Sequence, residues 1–229
     1  GDRSSVGLLN FQFLTQPDRI VLASEKENFV LLFVGFVLPL SISYVCKMEY
    51  IKTSIEGVFI LEPKVFNDAR GYFFESWRKK DFEEHIGQVD FIQDNESKSS
   101  YGVLRGLHYQ KGEYAQAKLV RVIKGRVLDV AADLRKSSPT FGRYVSVELS
   151  DANKRQLFIP RGFAHGFLVL SEEAVFAYKV DNVYAPQAEA CIRWDDKDIA
   201  VDWPIDPKEV ITSEKDLNAH TLRNAEVFE

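Results

Sequence analysis

Two histidines of this chain sit where an imidazole is unusual. His108 lies in Gly102-Val103-Leu104-Arg105-Gly106-Leu107-His108-Tyr109-Gln110, a strand-like run whose apolar residues would bury the ring beside a guanidinium. In a straight strand Arg105 and His108 face opposite sides, so a joint role requires a bulge, and Gly106 is the place for one. His165 lies in Ile159-Pro160-Arg161-Gly162-Phe163-Ala164-His165-Gly166-Phe167, where a turn delivers the ring into a strand flanked by aromatics. Each ring is either a satisfied core histidine or a working acid–base group, because imidazole titrates near neutrality and can take up and return a proton. His85, in the charged stretch Lys79-Lys80-Asp81-Phe82-Glu83-Glu84, and His220, in a polar tail, read as solvated surface groups.

Cations recur around the same segments: Arg70, Arg105, Lys118 and Arg121. Charges set into apolar strands need an anion or a carboxylate, so they point either to a phosphate-bearing ligand or to internal pairing with Asp129, Asp133 or Glu75. No P-loop or Gly-rich dinucleotide fingerprint is present. Tyr178 shares a strand face with Phe176 and Val180, as a core tyrosine or as a proton donor. Lys and Arg number 29 against 34 Asp and Glu, a formal charge of -5 that removes the general attraction to phosphate backbones, so no nucleic-acid partner is expected. Cys46 and Cys191 cannot build a disulfide framework, and without a C-x-x-C pair a thiolate metal site is not expected; a reduced, cytoplasmic setting follows.

The elements that must position these groups are mostly strands. From Val58 onward short apolar runs recur at intervals of about 8–12 residues between turn residues, the pattern of a sandwich or barrel. In Arg126–Leu134, Leu128, Val130, Ala132 and Leu134 share a core face, with Asp129 and Asp133 on the other. Val145, Val147 and Leu149 alternate with Tyr144, Ser146 and Glu148, and residues 175–183 are long enough for another strand. Lys124-Gly125 suits a tight hairpin, and Ser138-Pro139, Asp151-Ala152-Asn153, Pro160-Arg161-Gly162 and Ser171-Glu172 mark further reversals. Arg78–Gln88 reads as a helix, with Phe82 and Ile86 four apart, and a C-terminal helix can follow Pro207. With 229 residues and 45% hydrophobic side chains, the economical architecture is all-β: one antiparallel jelly roll over residues 48–229 that can hold a small ligand between its sheets.

Residues 1–47 are set apart. The uncharged run from residue 29 to 45 is shorter than the roughly 20 apolar residues that span a bilayer and is broken by Pro39. It follows Glu25-Lys26-Glu27-Asn28 rather than a basic region, so neither a signal peptide nor a membrane partner is expected. The single methionine, Met48, stands where patterned sequence begins, and residues 1–47 are expected to be an upstream or fusion leader outside the fold.

Taken in order, Asp68-Ala69-Arg70-Gly71-Tyr72-Phe73-Phe74-Glu75, Leu104 to Gln110, Lys118-Leu119-Val120-Arg121, Ser138-Pro139-Thr140-Phe141-Gly142 and Gly162 to Phe167 closely resemble the dTDP-4-dehydrorhamnose 3,5-epimerase family. The resemblance covers about residues 48–220 and implies a cupin-like jelly roll without a cofactor, a homodimer acting on dTDP-4-dehydro-6-deoxyglucose in the route to dTDP-L-rhamnose. It implies that His108 is the base, Asp216 its orienting partner, Lys118 the cation that meets the ketone oxygen, and Tyr178 the proton donor on the opposite face. Arg70, Phe73, Glu75, Gln93, Asn95, Arg105 and His165 match substrate-binding positions, with Tyr184 and Glu189 as further matches. In the family the strands carrying Arg70, Phe73 and Glu75 reach into the neighbouring subunit. Cys191 stands where a smaller residue is expected, and Ala132 where a bulkier one is.

Two other readings use the same residues. The Pro-x-Gly-x-x-His spacing before His165 is similar to the second motif of metal-dependent cupins, such as sugar isomerases or dioxygenases. Their first motif carries His-x-His, however, and His108-Tyr109-Gln110 lacks the second imidazole. A single-centre epimerase on a related nucleotide sugar, or a nucleotide-sugar binding module resting on the cationic strands alone, are the remaining alternatives.

Overall fold

The computed structural model describes residues 48–229 in full and, of the first 47, only the backbone of three strands. These are β1 (Leu22–Glu25), β2 (Asn28–Phe33) and β3 (Phe36–Ser41), paired antiparallel in that order. The chain falls into two compact units, Gly1–Cys46 and Lys47–Glu229. The origin assigned above to the leader lies outside the described residues.

The second unit opens with β4 (Met48–Lys52) and β5 (Phe59–Pro63), followed by a two-stranded ribbon of β6 (Phe66–Asp68) and β7 (Gly71–Phe73). Helix α1 (Lys79–His85) falls inside the expected span, and Phe82 is its one fully buried residue. Then come β8 (Gln93–Ser100), β9 (Leu104–Gln110), β10 (Lys118–Lys124), β11 (Arg126–Asp133), β12 (Tyr144–Ser150), β13 (Gln156–Ile159), β14 (Phe163–Val169), β15 (Glu173–Val180) and β16 (Glu189–Cys191). The C-terminal helix, α2 (Glu214–Leu217), is a single turn whose N-cap is Ser213.

Two sheets result, ordered β4-β5-β13-β10-β15-β8 and β12-β11-β14-β9-β16. From β8 onward the chain changes sheet at almost every connection, which is the double winding of a jelly roll. The reversal at Lys124-Gly125 is therefore not a hairpin: it carries the chain from β10 in one sheet to β11 in the other. Gly125 (φ +84°) is required there, because a Cβ would meet the Glu173 carbonyl oxygen and the Ser171 hydroxyl. From β8 onward only the β11–β12 connection stays within its sheet as a hairpin, and Asp133 clasps its loop. Buried Asp133 accepts from the Arg135 guanidinium at 2.8 Å, Ser138 Oγ at 2.6 Å and Thr140 Oγ1 at 2.7 Å. Burial alone would raise this carboxyl, but those donors bring it down to about 2.

Three apolar layers hold the unit. Between the sheets lie Val120, Val127, Ala131, Val147, Leu149, Phe167 and Phe176. Outside the six-stranded sheet, Met48, Leu61, Leu119 and Phe158 pack against Phe82 of α1. Outside the five-stranded sheet, Leu107, Val130, Ala132, Leu134 and Ile192 are covered by the C-terminal segment through Ile199 and Leu222. That cover corrects one reading of β11: the face with Asp129 and Asp133 is the interior between the sheets, not solvent, and both carboxylates are fully buried. Alternation shows two different faces, but both are dry because β11 is a central strand with a layer on each side. Edge strand β12 keeps the expected one-sided pattern, with Ser146 and Glu148 exposed.

The bulge anticipated at Gly106 is present. His165 pairs with His108 and Phe167 with Arg105, so three steps along β9 match two along β14. The extra residue reverses the parity of β9 and puts Arg105 and His108 on the same, inward face. Gly106 adopts φ +132°, and a Cβ there would lie 2.5 Å from Gly166 Cα and 2.8 Å from the His165 carbonyl oxygen. Gly106→Ala is expected to cost about 2–5 kcal/mol through backbone strain and overpacking. For a domain of this size that is a fall of roughly 5–15 °C in Tm by differential scanning calorimetry.

Candidate active site

At one end of the jelly roll the sheets part around a cavity of about 320 Å³ lined by Gln93, Asn95, His108, Tyr109, Gln110, Gln116, Lys118, Tyr178, Tyr184 and Glu189. Its walls follow from strand parity. Lys118 shares an inward face with Val120 and Val122 on β10, Tyr178 shares one with Phe176 on β15, and Asn95 on β8 stands opposite Tyr178. On β9 the bulge turns His108 inward, and β16 pairs with that segment so that Glu189 faces Gln110 and Cys191 faces His108.

His108 is a third exposed to the cavity and bonded behind to Asp216, Nε2 to Oδ1 at 2.6 Å. Asp216 is buried on α2, where Ser213 Oγ accepts from its backbone N–H at 3.1 Å. Its second oxygen accepts from the Gly106 N–H at 3.5 Å and from Thr212 Oγ1 at 3.4 Å. Burial pushes the Asp216 carboxyl up, yet the hydrogen bond and charge of His108 and the Gly106 and Ser213 contacts hold it below the usual carboxylate range. Asp216 is thus an acceptor only, and His108 must place its proton on Nε2, which leaves the Nδ1 lone pair free.

Lys118 is half-buried and has neither a hydrogen bond nor an ion pair among the described residues. Burial brings its ammonium down to about 8, opposed by the charges of Asp129 and Glu189. Behind it His165 is buried and bonded through Nε2 to Asp129 Oδ2 at 2.9 Å. Burial lowers the His165 pKa against the opposing charge and hydrogen bond of Asp129, with the charges of Lys118 and His108 acting in the same direction as burial. Tyr178 is held in its phenol form by burial, which raises its pKa against the pull of Arg105.

At the rim Glu189 joins three elements. It accepts from Tyr184 OH at 2.8 Å and pairs with Lys215 Nζ at 2.5 Å, which ties the Tyr184 loop and β16 to the helix that carries Asp216. Gln93 Nε2 donates to Asn95 Oδ1 at 2.8 Å on the opposite wall. Arg105 lies on the same side, with its Nε donating to Ser99 Oγ at 3.1 Å.

Seven of the residues singled out in the sequence therefore line one cavity: His108, Lys118, Tyr178, Gln93, Asn95, Tyr184 and Glu189. Asp216 and His165 stand behind it. Arg70, Phe73 and Glu75 are not among its walls. Arg70 pairs with Asp68 at 2.6 Å and is 90% exposed, Phe73 is 63% exposed on β7, and Glu75 pairs with Arg78 at 2.7 Å. The structure also adds residues. Asp129, in the sequence a neutralising partner only, positions His165; its signal is a carboxylate between the small interior residues Val127 and Ala131. Gln110 clamps the rim, donating to the carbonyls of Tyr114 and Val183 and accepting from the Ala185 N–H. Finally, Cys191 Sγ lies 3.6 Å from Asp216 Oδ1, in a group with His108 and Asp216 whose ligand atoms are within 4.8 Å of one another. Sheet register thus gathers three ligand-bearing side chains that no local motif of the sequence contains.

An imidazole backed by a carboxylate, an unpaired ammonium and a phenol around one cavity are groups that can move protons on and off carbon next to a carbonyl. Jelly-roll fold and cavity chemistry together fit an enzyme of the isomerase class. The sequence model of dTDP-4-dehydrorhamnose 3,5-epimerase matches residues 52–224. A relative of that name from Shigella flexneri is 56% identical over 182 residues, covering 79% of this chain and 99% of the relative. The crystal structure of dTDP-4-dehydrorhamnose 3,5-epimerase from Elizabethkingia anophelis aligns with a TM-score of 0.75 and 54% identity, over 77% of this chain and 97% of that one. That of a Legionella pneumophila dTDP-6-deoxy-D-glucose-3,5-epimerase in complex with dTDP-4-keto-L-rhamnose aligns at 0.76 and 49% identity, over 79% and 95%. The chain belongs to the dTDP-4-dehydrorhamnose 3,5-epimerase family. No helix among the described residues is long and apolar enough to cross a membrane.

Proposed function

We propose that this protein converts dTDP-4-dehydro-6-deoxy-D-glucose to dTDP-4-dehydro-L-rhamnose by inverting C3 and C5, the two carbons flanking the C4 ketone. The observation that carries the reading is the His108–Asp216 pair opening onto the cavity that also holds the unpaired Lys118 and Tyr178. His108 Nδ1 takes the proton from the carbon beside the ketone, and the electron pair left behind moves onto the ketone oxygen as an enolate. Asp216, fixed at Nε2, stabilises the imidazolium that forms. Lys118 meets the new oxyanion with a charge already in place, where its burial among the sheet residues makes that charge worth more than in water. Tyr178 returns a proton from the opposite face and is recharged from solvent, completing the inversion.

Arg70, Phe73 and Glu75 enter this reading through a second copy of the chain. The ribbon β6–β7 presents Tyr72 and Phe73 to solvent, and an aromatic face beside an arginine suits a thymine base and a pyrophosphate. A homodimer with exchanged N-terminal strands places them at the partner's cavity. The free, buried Cys191 fits a reducing, cytoplasmic setting.

The test is solvent exchange. Incubated with the substrate in deuterated water, the protein is expected to label both C3 and C5, read by mass spectrometry and NMR. Tyr178→Phe, which keeps the ring and removes the O–H, is expected to retain exchange at the first carbon while losing at least about tenfold in double inversion. Absence of label at either carbon with the wild-type protein rejects the proposal.

A further inference from the structure

We propose that His108, Cys191 and Asp216 form a capture site for a thiophilic divalent cation of the zinc type, and that its occupancy switches the enzyme off. The proposal rests on the reading of His108 as the base. The three side chains come from β9, β16 and α2, and their ligand atoms lie within 4.8 Å of one another. Tetrahedral zinc with ligands at about 2.0–2.3 Å needs ligand atoms roughly 3.3–3.7 Å apart. Cys191 Sγ and Asp216 Oδ1 already stand at 3.6 Å, and the His108–Asp216 contact of 2.6 Å has to open by about 0.7 Å, within reach of two side-chain rotations. His108 is a third exposed to the cavity while Cys191 and Asp216 are buried behind it, so an ion reaches the three ligand atoms by passing the imidazole.

The set of donors selects the ion. One sulfur, one imidazole nitrogen and one carboxylate oxygen suit zinc, cobalt or cadmium and disfavour magnesium or calcium, which take oxygen ligands. Burial raises the Cys191 thiol far above its ordinary range, so without an ion the sulfur is a neutral S–H beside Asp216. Binding releases the thiol proton to solvent, and the ion takes the place of the Nε2 proton between His108 and Asp216. A neutral imidazole bound through Nε2 carries its remaining proton on Nδ1, the atom whose lone pair abstracts the substrate proton. The cation thus removes the base by fixing the wrong tautomer, and it does so without touching Lys118 or Tyr178.

Two readouts on the intact protein, stripped of metal by a chelator, test the proposal. Titration with Co2+ is expected to produce a thiolate-to-cobalt charge-transfer band in the near ultraviolet, and titration with Zn2+ to inhibit solvent exchange at C3 and C5 reversibly, with recovery on adding chelator. Magnesium is expected to do neither. Cys191→Ser and Cys191→Ala are expected to turn over normally, to lack the band and to require at least about tenfold more zinc for half inhibition. Two cysteine variants guard against one failing to fold. Absence of a cysteine-dependent band, or equal zinc sensitivity in both variants and the wild type, overturns the site. A cysteine-dependent band in a protein that keeps full activity overturns the switch, while the assignment of His108 as base is judged separately by deuterium labelling with metal-free His108→Asn.

Discussion

Replacing His108 with alanine is expected to lower turnover by on the order of 10³-fold, the middle of the range for loss of a general base. The reason is geometric. Asp216 occupies Nε2, so Nδ1 is the atom left to face the cavity, and no other residue lining it carries an imidazole. Alanine also strands a buried carboxylate, because Asp216 loses the 2.6 Å bond that compensates its burial. His108→Asn separates the two effects, since its amide can still donate toward Asp216 while having no basic lone pair. Both variants are expected to lose exchange of substrate protons, and only the alanine to lose melting temperature. Wild-type exchange in the asparagine variant would remove the base assignment, whatever the alanine does.

The second large effect concerns Lys118. Lys118→Met keeps the length of the side chain and removes the charge, and kcat is expected to fall by about 10²–10³-fold, as when one preorganised group at an oxyanion is lost. The pH profile supplies a separate check. The ammonium of the free protein is lost as pH rises through about 8, so kcat/KM is expected to fall above that value. In Lys118→Arg, whose guanidinium stays charged throughout, that alkaline limb should disappear even if absolute activity is low. Stability moves the other way. The folded value lies below the roughly 10.4 of an unfolded lysine, so the unfolded chain binds more protons between these two values and stability rises with pH across that window. The penalty for keeping the ammonium is present in full below about 8, hence Lys118→Met is expected to melt no lower than the wild type at pH 7. A methionine variant with full activity, or an alkaline limb unchanged in the arginine variant, would rule out the role given to this residue.

Both predictions concern side chains legible in the sequence, and the reasons they are legible are local. An imidazole inside an apolar strand, a lysine two positions before Val120 and a tyrosine two after Phe176 are each visible from period-two alternation, since parity alone assigns a face. The bulge at Gly106 is legible as well, because only a residue without a Cβ can pack against the backbone of Gly166. Ordered motifs then carry the family resemblance, which the match of the family's sequence model over residues 52–224 bears out.

What alternation could not show is which faces are covered. Asp129 and Asp133 look alike on one strand, yet one orients a buried imidazole and the other clasps the β11–β12 loop. Lys124-Gly125 has the composition of a hairpin, but whether the chain pairs with itself or crosses to the second sheet is settled by the packing of both sheets. Composition, then, determined an all-β chain with its acid–base residues on strand faces, because side-chain type and parity are properties of a few consecutive residues. Tertiary structure decided that His108 meets Asp216 across a separation of 108 residues, that Cys191 stands beside them, and that the ribbon bearing Arg70 and Phe73 is absent from the walls of its own cavity. Such contacts depend on sheet order and register, and those are set by how the layers bury one another rather than by any short stretch of chain.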